Sequence, residues 1–180
     1  TGSMQLARRD HTATLLKDGS VLIVGWFTND AELYDPASDA FRTLPGATQC
    51  QHGQLFTATL LLDGSVLVVG GNAAPTCAEV YDPDTGVFTR VGSLSFRRKS
   101  HSATLLPDGR VLVAGGEDDS SGMHASAEVF DPSTGVFTRT GDMTEGRFAH
   151  AAVFLRDGTV LIAGGLRPTT PGNAEALRTA

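Results

Sequence analysis

Three arginine–histidine pairs recur at one spacing: Arg8 with His11, Arg98 with His101, and Arg147 with His150. Cations gathered in this way could bind an anion, whereas the same groups turned inward would satisfy backbone carbonyls; their periodic recurrence favours the second role. Two cysteines, Cys50 and Cys77, make neither a disulfide-dense scaffold nor a CxxC metal site. His52 and His124 fall outside the periodic positions, so they are better candidates for a specific contact, although a metal would need further ligands beside them. Glu117, Asp118 and Asp119 offer oxygen ligands for calcium, but they lack the alternating spacing of a dedicated calcium loop, and a solvated acidic loop is the simpler reading. Trp26 and Phe27 could stack on a sugar, anchor a protein partner, or pack within the fold. GxSxG, HExxH and GxxxxGK are all missing, so no catalytic residue, metal ligand or cofactor is assigned.

Composition narrows the partners. The chain has 180 residues, 41% of them hydrophobic, and can bury a core. Its formal net charge of −6, with two lysines against twelve arginines and no basic run, offers no footprint for a phosphate backbone, and nucleic acid is not expected. Neither an apolar run long enough to span a bilayer nor a signal-peptide pattern is found.

The elements that must position these residues are legible as a repeat. Asp-Gly recurs at Asp18-Gly19, Asp63-Gly64, Asp108-Gly109 and Asp157-Gly158, with glycine spacings of 45, 45 and 49 residues. Each pair joins two apolar runs, as in FTATLLLDGSVLVVGG from Phe56, and predicts a β-hairpin with a type I′ turn. Runs such as Val66-Leu67-Val68-Val69 are apolar at consecutive positions, so both faces of the sheet must be covered. Small residues at Ala13, Ala58, Ala103 and Ala152 suit strands that converge. AELYD from Ala31, AEVYD from Ala78 and AEVFD from Ala127 supply a third strand, each closed by a proline, and AFRTL, VFTRV and VFTRT a fourth. Four strands per repeat make a blade, and the fold class predicted is an all-β propeller.

With its double glycines Gly70-Gly71, Gly115-Gly116 and Gly164-Gly165 and its aromatics on the third and fourth strands, the chain resembles the Kelch family, specifically the bacterial repeats related to the propeller of galactose-oxidase-like proteins. Phe41, Phe88 and Phe137 stand where that family usually has tryptophan, and Gly25-Trp26 replaces one double glycine. The resemblance implies copper oxidases that use tyrosine, cysteine and histidine ligands; both tyrosines here, Tyr34 and Tyr81, occupy the repeated third-strand position, so none is carried over as a ligand. It also implies rings of six or seven blades. About three and a half to four are expected here: a tail of a preceding blade at 1–10, blades at 11–46, 56–92 and 101–141, and an incomplete one at 150–180. The open edges would invite self-association or union with the remainder of a ring, and a closed ring of four is the alternative.

Strands A to D of a blade run outward, which puts the B–C and D–A connections on one rim. These connections carry the irregularity, from four residues in the first B–C loop to ten at Glu117–Ser126. On that rim the recurring arginines Arg8, Arg98 and Arg147 would form a cationic ring at the channel mouth or bond to carbonyls between blades. Cys50 and Cys77 fall on the same face of one blade and predict a disulfide, implying an oxidising, extracellular or cell-surface setting in a bacterium; two buried thiols are the alternative. The leading functional expectation is a non-catalytic binding propeller whose rim loops meet a protein or glycan. A galactose-oxidase-like enzyme with catalytic residues elsewhere and a structural spacer stand as alternatives.

Overall fold

The computed structural model describes residues 2–25, 29–44, 46–118, 122–170 and 173–177, with backbone alone at 168–170 and 173–174. Every regular element among them is a strand. In chain order they are β1 (Thr12–Leu15), β2 (Val21–Val24), β3 (Ala31–Asp35), β4 (Ala40–Leu44), β5 (Thr57–Leu60), β6 (Val66–Val69), β7 (Ala78–Asp82), β8 (Val87–Arg90), β9 (Ser102–Leu105), β10 (Val111–Ala114), β11 (Ala127–Asp131), β12 (Val136–Arg139), β13 (Ala151–Phe154), β14 (Val160–Ala163), β15 (Leu166–Thr170) and β16 (Asn173–Ala176). They form three complete four-stranded antiparallel sheets, β1–β4, β5–β8 and β9–β12, each ordered as in the chain. Beyond these, β13–β14 and β15–β16 are separate hairpins. Ala174-Glu175 repeats the Ala-Glu that opens the third strand of each complete blade, but here it lies in β16, with Glu175 opposite Arg167 of β15.

The hairpin turns differ from the expected type I′. That turn needs positive φ at both central residues, yet in each Asp-Gly pair only the glycine has it, at 89°, 103°, 88° and 92°. The aspartate stays right-handed because its carboxylate is occupied locally: Asp18 Oδ1 accepts from the Ser20 amide at 2.9 Å and hydroxyl at 2.7 Å, and Asp63 and Asp157 repeat the arrangement. With Gly19 N–H donating to Leu16 O and Leu16 N–H to Ser20 O, this is a type I turn closed by a glycine bulge.

The sheets stack face to face through two apolar layers. One gathers Leu22, Val24, Phe56, Val66, Val68 and Tyr81 between the first two sheets; the other gathers Leu67, Val69, Val111, Val113, Phe130 and Phe137 between the second and third. This explains the consecutive apolar runs, since Val66 to Val69 are all fully buried. The aromatic positions pair across the outer strands, Tyr34 with Phe41, Tyr81 with Phe88 and Phe130 with Phe137, at ring separations of 4.8, 4.8 and 4.9 Å. The inner strands touch in succession, β1 against β5, β5 against β9 and β9 against β13, so the sheets fan outward from one side as propeller-like blades do. No closed ring is formed among the described residues.

A hydroxyl–imidazole belt ties the inner strands together. His101 Nε2 meets Thr57 Oγ1 at 3.0 Å, and His150 Nε2 meets Ser102 Oγ at 2.8 Å. By the same geometry Thr12 should meet residue 56, but that residue is Phe56, and Thr12 Oγ1 is buried without a hydrogen bond. Thr12→Val should therefore leave stability unchanged or raise it by up to about 1 kcal/mol, whereas Thr57→Val, which strands a buried imidazole nitrogen, should cost about 1 to 3 kcal/mol in urea unfolding.

Candidate functional site

The rim carrying the B–C and D–A connections is organised around three glutamates, Glu32, Glu79 and Glu128, each fully buried on the third strand of its blade. Each accepts two hydrogen bonds from the segment entering the blade. A backbone amide supplies one: Gln5 to Glu32 at 2.7 Å, Gln49 to Glu79 at 2.8 Å and Ser95 to Glu128 at 2.9 Å. Three residues further on, a side chain supplies the other: Arg8 Nε to Glu32 at 2.9 Å, His52 Nε2 to Glu79 at 3.0 Å and Arg98 NH2 to Glu128 at 2.9 Å. The entering segment also bonds to the blade it leaves, as Arg98 N–H donates to Pro75 O and Leu94 N–H to Thr76 O. The connection into the third blade is thus stitched to one blade by its backbone, and each of the three is plugged into its blade by a side-chain nitrogen.

The recurring arginines take the inward role. Arg98 is fully buried and donates to the carbonyls of Gly115 and Ser126, at 2.7 and 2.9 Å, as well as to Glu128. Arg8 donates to Asp30 O, and Arg147 to Gly164 O. His52, which the sequence separates from this set, belongs to it. Its Nδ1 meets Gly70 O at 2.8 Å and its Nε2 the Glu79 carboxylate, so the ring faces two acceptors, as the guanidiniums do. The repeat is obscured because blade 2 has one extra residue between this position and the inner strand. Gly53 absorbs it with φ +74°, before Leu55 returns to the left-handed conformation that Asp10, Ser100 and Ala149 adopt at the matching place. Sequence reasoning passed over the three glutamates altogether; their signal was the invariable Ala-Glu opening of AELYD, AEVYD and AEVFD.

Beside this plug Cys50 and Cys77 form a disulfide, with Cα atoms 6.2 Å apart, as the common rim placement predicted. The ligand atoms of Cys50, His52 and Glu79 lie within 4.8 Å of one another, all buried.

The third blade bears the largest rim elaboration. Its B–C loop bridges Glu117 to Lys99 of the incoming connection and to Met123. Asp118 accepts from the Gly122 amide, which makes it part of the loop's own framework. His124 Nε2–H donates to Arg97 O at 2.9 Å, which places that proton on Nε2. Phe96, 37% exposed, lies 5.4 Å from the His124 ring, and the Arg139 guanidinium sits 5.3 Å from the Phe96 ring centre. An exposed aromatic of the incoming connection is thus framed by an imidazole from the B–C loop and a cation from the end of β12. Trp26, Phe27 and Asp119 lie outside the described residues. On the opposite rim a groove of about 490 Å³ is bordered by Lys17, Asp18, Asp63, Asp82 and Asp84, whose carboxylates at Asp18, Asp63 and Asp82 are engaged by their own turns.

Burial lowers the basicity of three histidines. His101 is pushed down to about 3, by desolvation first and then by the Arg98 charge. His150 is lowered by burial and then by Arg147, and His124 by burial and then by Arg98. A histidine held neutral in the fold contributes stability that is complete above its unfolded value of about 6.5 and is lost as the pH falls, because the unfolded chain takes up a proton that the fold refuses. For His101 stability should therefore decline from about pH 6.5 towards 3, by up to about 1.4 kcal/mol per pH unit, with His150 and His124 acting in the same direction. His101→Phe, the residue blade 2 uses at this place, should flatten the slope of unfolding free energy against pH by one proton, and an unchanged slope would contradict the assignment.

No family model matches this chain, and no curated protein matches it. Among solved structures it is similar to one described as a novel fungal alcohol oxidase with catalytic diversity among the AA5 family, in complex with copper. The two share 18% identity with a TM-score of 0.56, over 91% of this chain and 50% of that one, so this chain spans half of its length. At that identity the likeness concerns the fold. The tyrosines of this chain do not fit a copper site: Tyr34 donates to Asp39, and Tyr81 is fully buried against Phe88 on the outer strands.

Proposed function

We propose that this chain is a binding module of the Kelch-propeller type that meets a protein or glycan partner with its B–C and D–A rim. The observation that carries this reading is the Phe96, His124 and Arg139 cluster: an exposed ring on the connection into the third blade, flanked by a histidine of that blade's long B–C loop and by the arginine that ends β12. A half-exposed aromatic offers apolar contact at small entropic cost, and neighbouring donors give it orientation. The buried glutamate plugs support it by holding the connections still. The disulfide suits an oxidising, extracellular setting. A glycan array and a pull-down with the intact protein test the reading. Phe96→Ala should weaken whatever ligand is found at least tenfold while the β-sheet spectrum is unchanged; two empty screens would favour a spacer. A second reading, part of a galactose-oxidase-like enzyme, is favoured by the similarity to a copper-bound alcohol oxidase, and bound copper with oxidase activity in the intact protein would establish it instead.

A further inference from the structure

Blade 2 departs from its neighbours at several places that meet in space. Where blades 1 and 3 plug their glutamate with Arg8 and Arg98, blade 2 uses His52; where they carry Leu6 and Phe96, it has Cys50; and where they carry Asp30 and Ser126, it has Cys77. A guanidinium cannot ligate a metal, and neither can the residues it stands beside in blade 3 supply a soft donor. In blade 2 each changed position has acquired a ligand type. We propose that opening the Cys50–Cys77 disulfide turns this cluster into a four-coordinate site for a divalent cation of the zinc class, ligated by both thiolates, His52 Nε2 and Glu79 Oε1.

The geometry is prepared in several respects. The donors come from two Xaa-spaced pairs, Cys50 with His52 and Cys77 with Glu79, and the second pair brackets the start of β7, where alternate residues face the same way. The ligand atoms of Cys50, His52 and Glu79, now within 4.8 Å of one another, need contract only to the separation of about 3.3 to 3.8 Å that tetrahedral zinc sets with bonds of about 2.0 to 2.3 Å, and the Cys77 sulfur starts beside them, bonded to that of Cys50. The outer contacts are also in place. Nδ1–H of His52 donates to Gly70 O, which fixes the tautomer that leaves Nε2 to the metal. Glu79 Oε2 accepts from the Gln49 amide and leaves Oε1 facing the cluster. Two thiolates and an imidazole favour zinc over calcium or magnesium.

The chemistry balances with a thiol or phosphine as reductant. Two equivalents of a thiol convert the disulfide to two cysteines and are themselves oxidised to one disulfide. Zinc then displaces the two thiol protons and the proton held between His52 and Glu79, which pass to solvent. The site is closed while the disulfide stands and available once it is reduced.

The test is a cobalt titration of the full chain, untreated and after anaerobic reduction and removal of the reductant. The reduced chain should bind one cobalt with thiolate-to-metal charge transfer and the intense visible absorption of tetrahedral cobalt, and zinc should displace it. The untreated chain should show neither band. Cys50→Ser with Cys77→Ser should abolish the charge-transfer band, and His52→Gln or Glu79→Gln should retain it with affinity at least tenfold lower. If reduction loosens the fold, zinc should restore the β-sheet spectrum, since binding is then coupled to folding. Failure of the reduced chain to take up cobalt, failure of zinc to restore a loosened fold, or unchanged affinity in both single variants would overturn the proposal. None of these results bears on the rim cluster at Phe96.

Discussion

Glu128→Gln should destabilise the protein by about 3 to 5 kcal/mol, while the equivalent Glu79→Gln should cost no more than about 1.5 kcal/mol. Both glutamates are fully buried, and both accept a side-chain hydrogen bond of nearly equal length. Their partners differ in one property. Arg98 cannot give up its proton, so removing the Glu128 charge leaves a guanidinium buried with only neutral acceptors. Burial already draws Arg98 below its ordinary value, with Glu128 opposing that effect. An imidazole, unlike a guanidinium, can offer one donor and one acceptor: Nδ1–H of His52 keeps the bond to Gly70 O, and Nε2 accepts from the new amide. Urea unfolding of the two variants at neutral pH reads the difference directly, and equal losses would mean that the carboxylates act only through shape.

Loss of the disulfide gives the next largest effect. Cys50 and Cys77 are separated by 27 positions, and closing a loop of that length restricts the unfolded chain by about 3 to 4 kcal/mol on the chain-entropy account. Replacing both with serine should lower the melting temperature by about 10 °C for a chain of this size. Differential scanning calorimetry checks it, and a change below about 2 °C would show that the unfolded chain is already constrained there. Because the bond joins an incoming connection to a B–C loop, the loss should fall first on amide protection along 46–56 and 70–77, with the strands of the third blade retaining theirs.

Much of this architecture could be read before any coordinates because repetition multiplies weak signals. One Asp-Gly between apolar runs suggests a hairpin; four at nearly constant spacing, three of them followed by Ala-Glu and an aromatic pair, define a blade. The turn type escaped because Asp-Gly suits two hairpin geometries, and in all four turns the residue that follows, Ser20, Ser65, Arg110 or Thr159, engages the aspartate with its amide and side chain. The separate course of β15 and β16 escaped because Ala174-Glu175 copies the start of a third strand while Arg167 supplies a local partner for Glu175. The site was legible in part. Placing both cysteines on one rim was enough to pair them, since a blade gives that rim a fixed width. His52 was singled out as irregular, yet it is the regular plug displaced by one residue, and no count of spacings could show that Gly53 absorbs the insertion through a positive φ. Phe96 carried no signal because its counterparts in the other connections, Leu6 and Cys50, are not aromatic.

What holds the rim in place is the burial of a side-chain nitrogen donor against a glutamate in each complete blade, and a double-mutant cycle on Arg98 and Glu128 tests it most directly. Arg98→Met and Glu128→Leu each leave one charge stranded in the interior, whereas together they leave none. The double variant is expected to be more stable than either single one, with a coupling of at least about 2 kcal/mol. Losses that simply add, to within about 0.5 kcal/mol, would contradict the account.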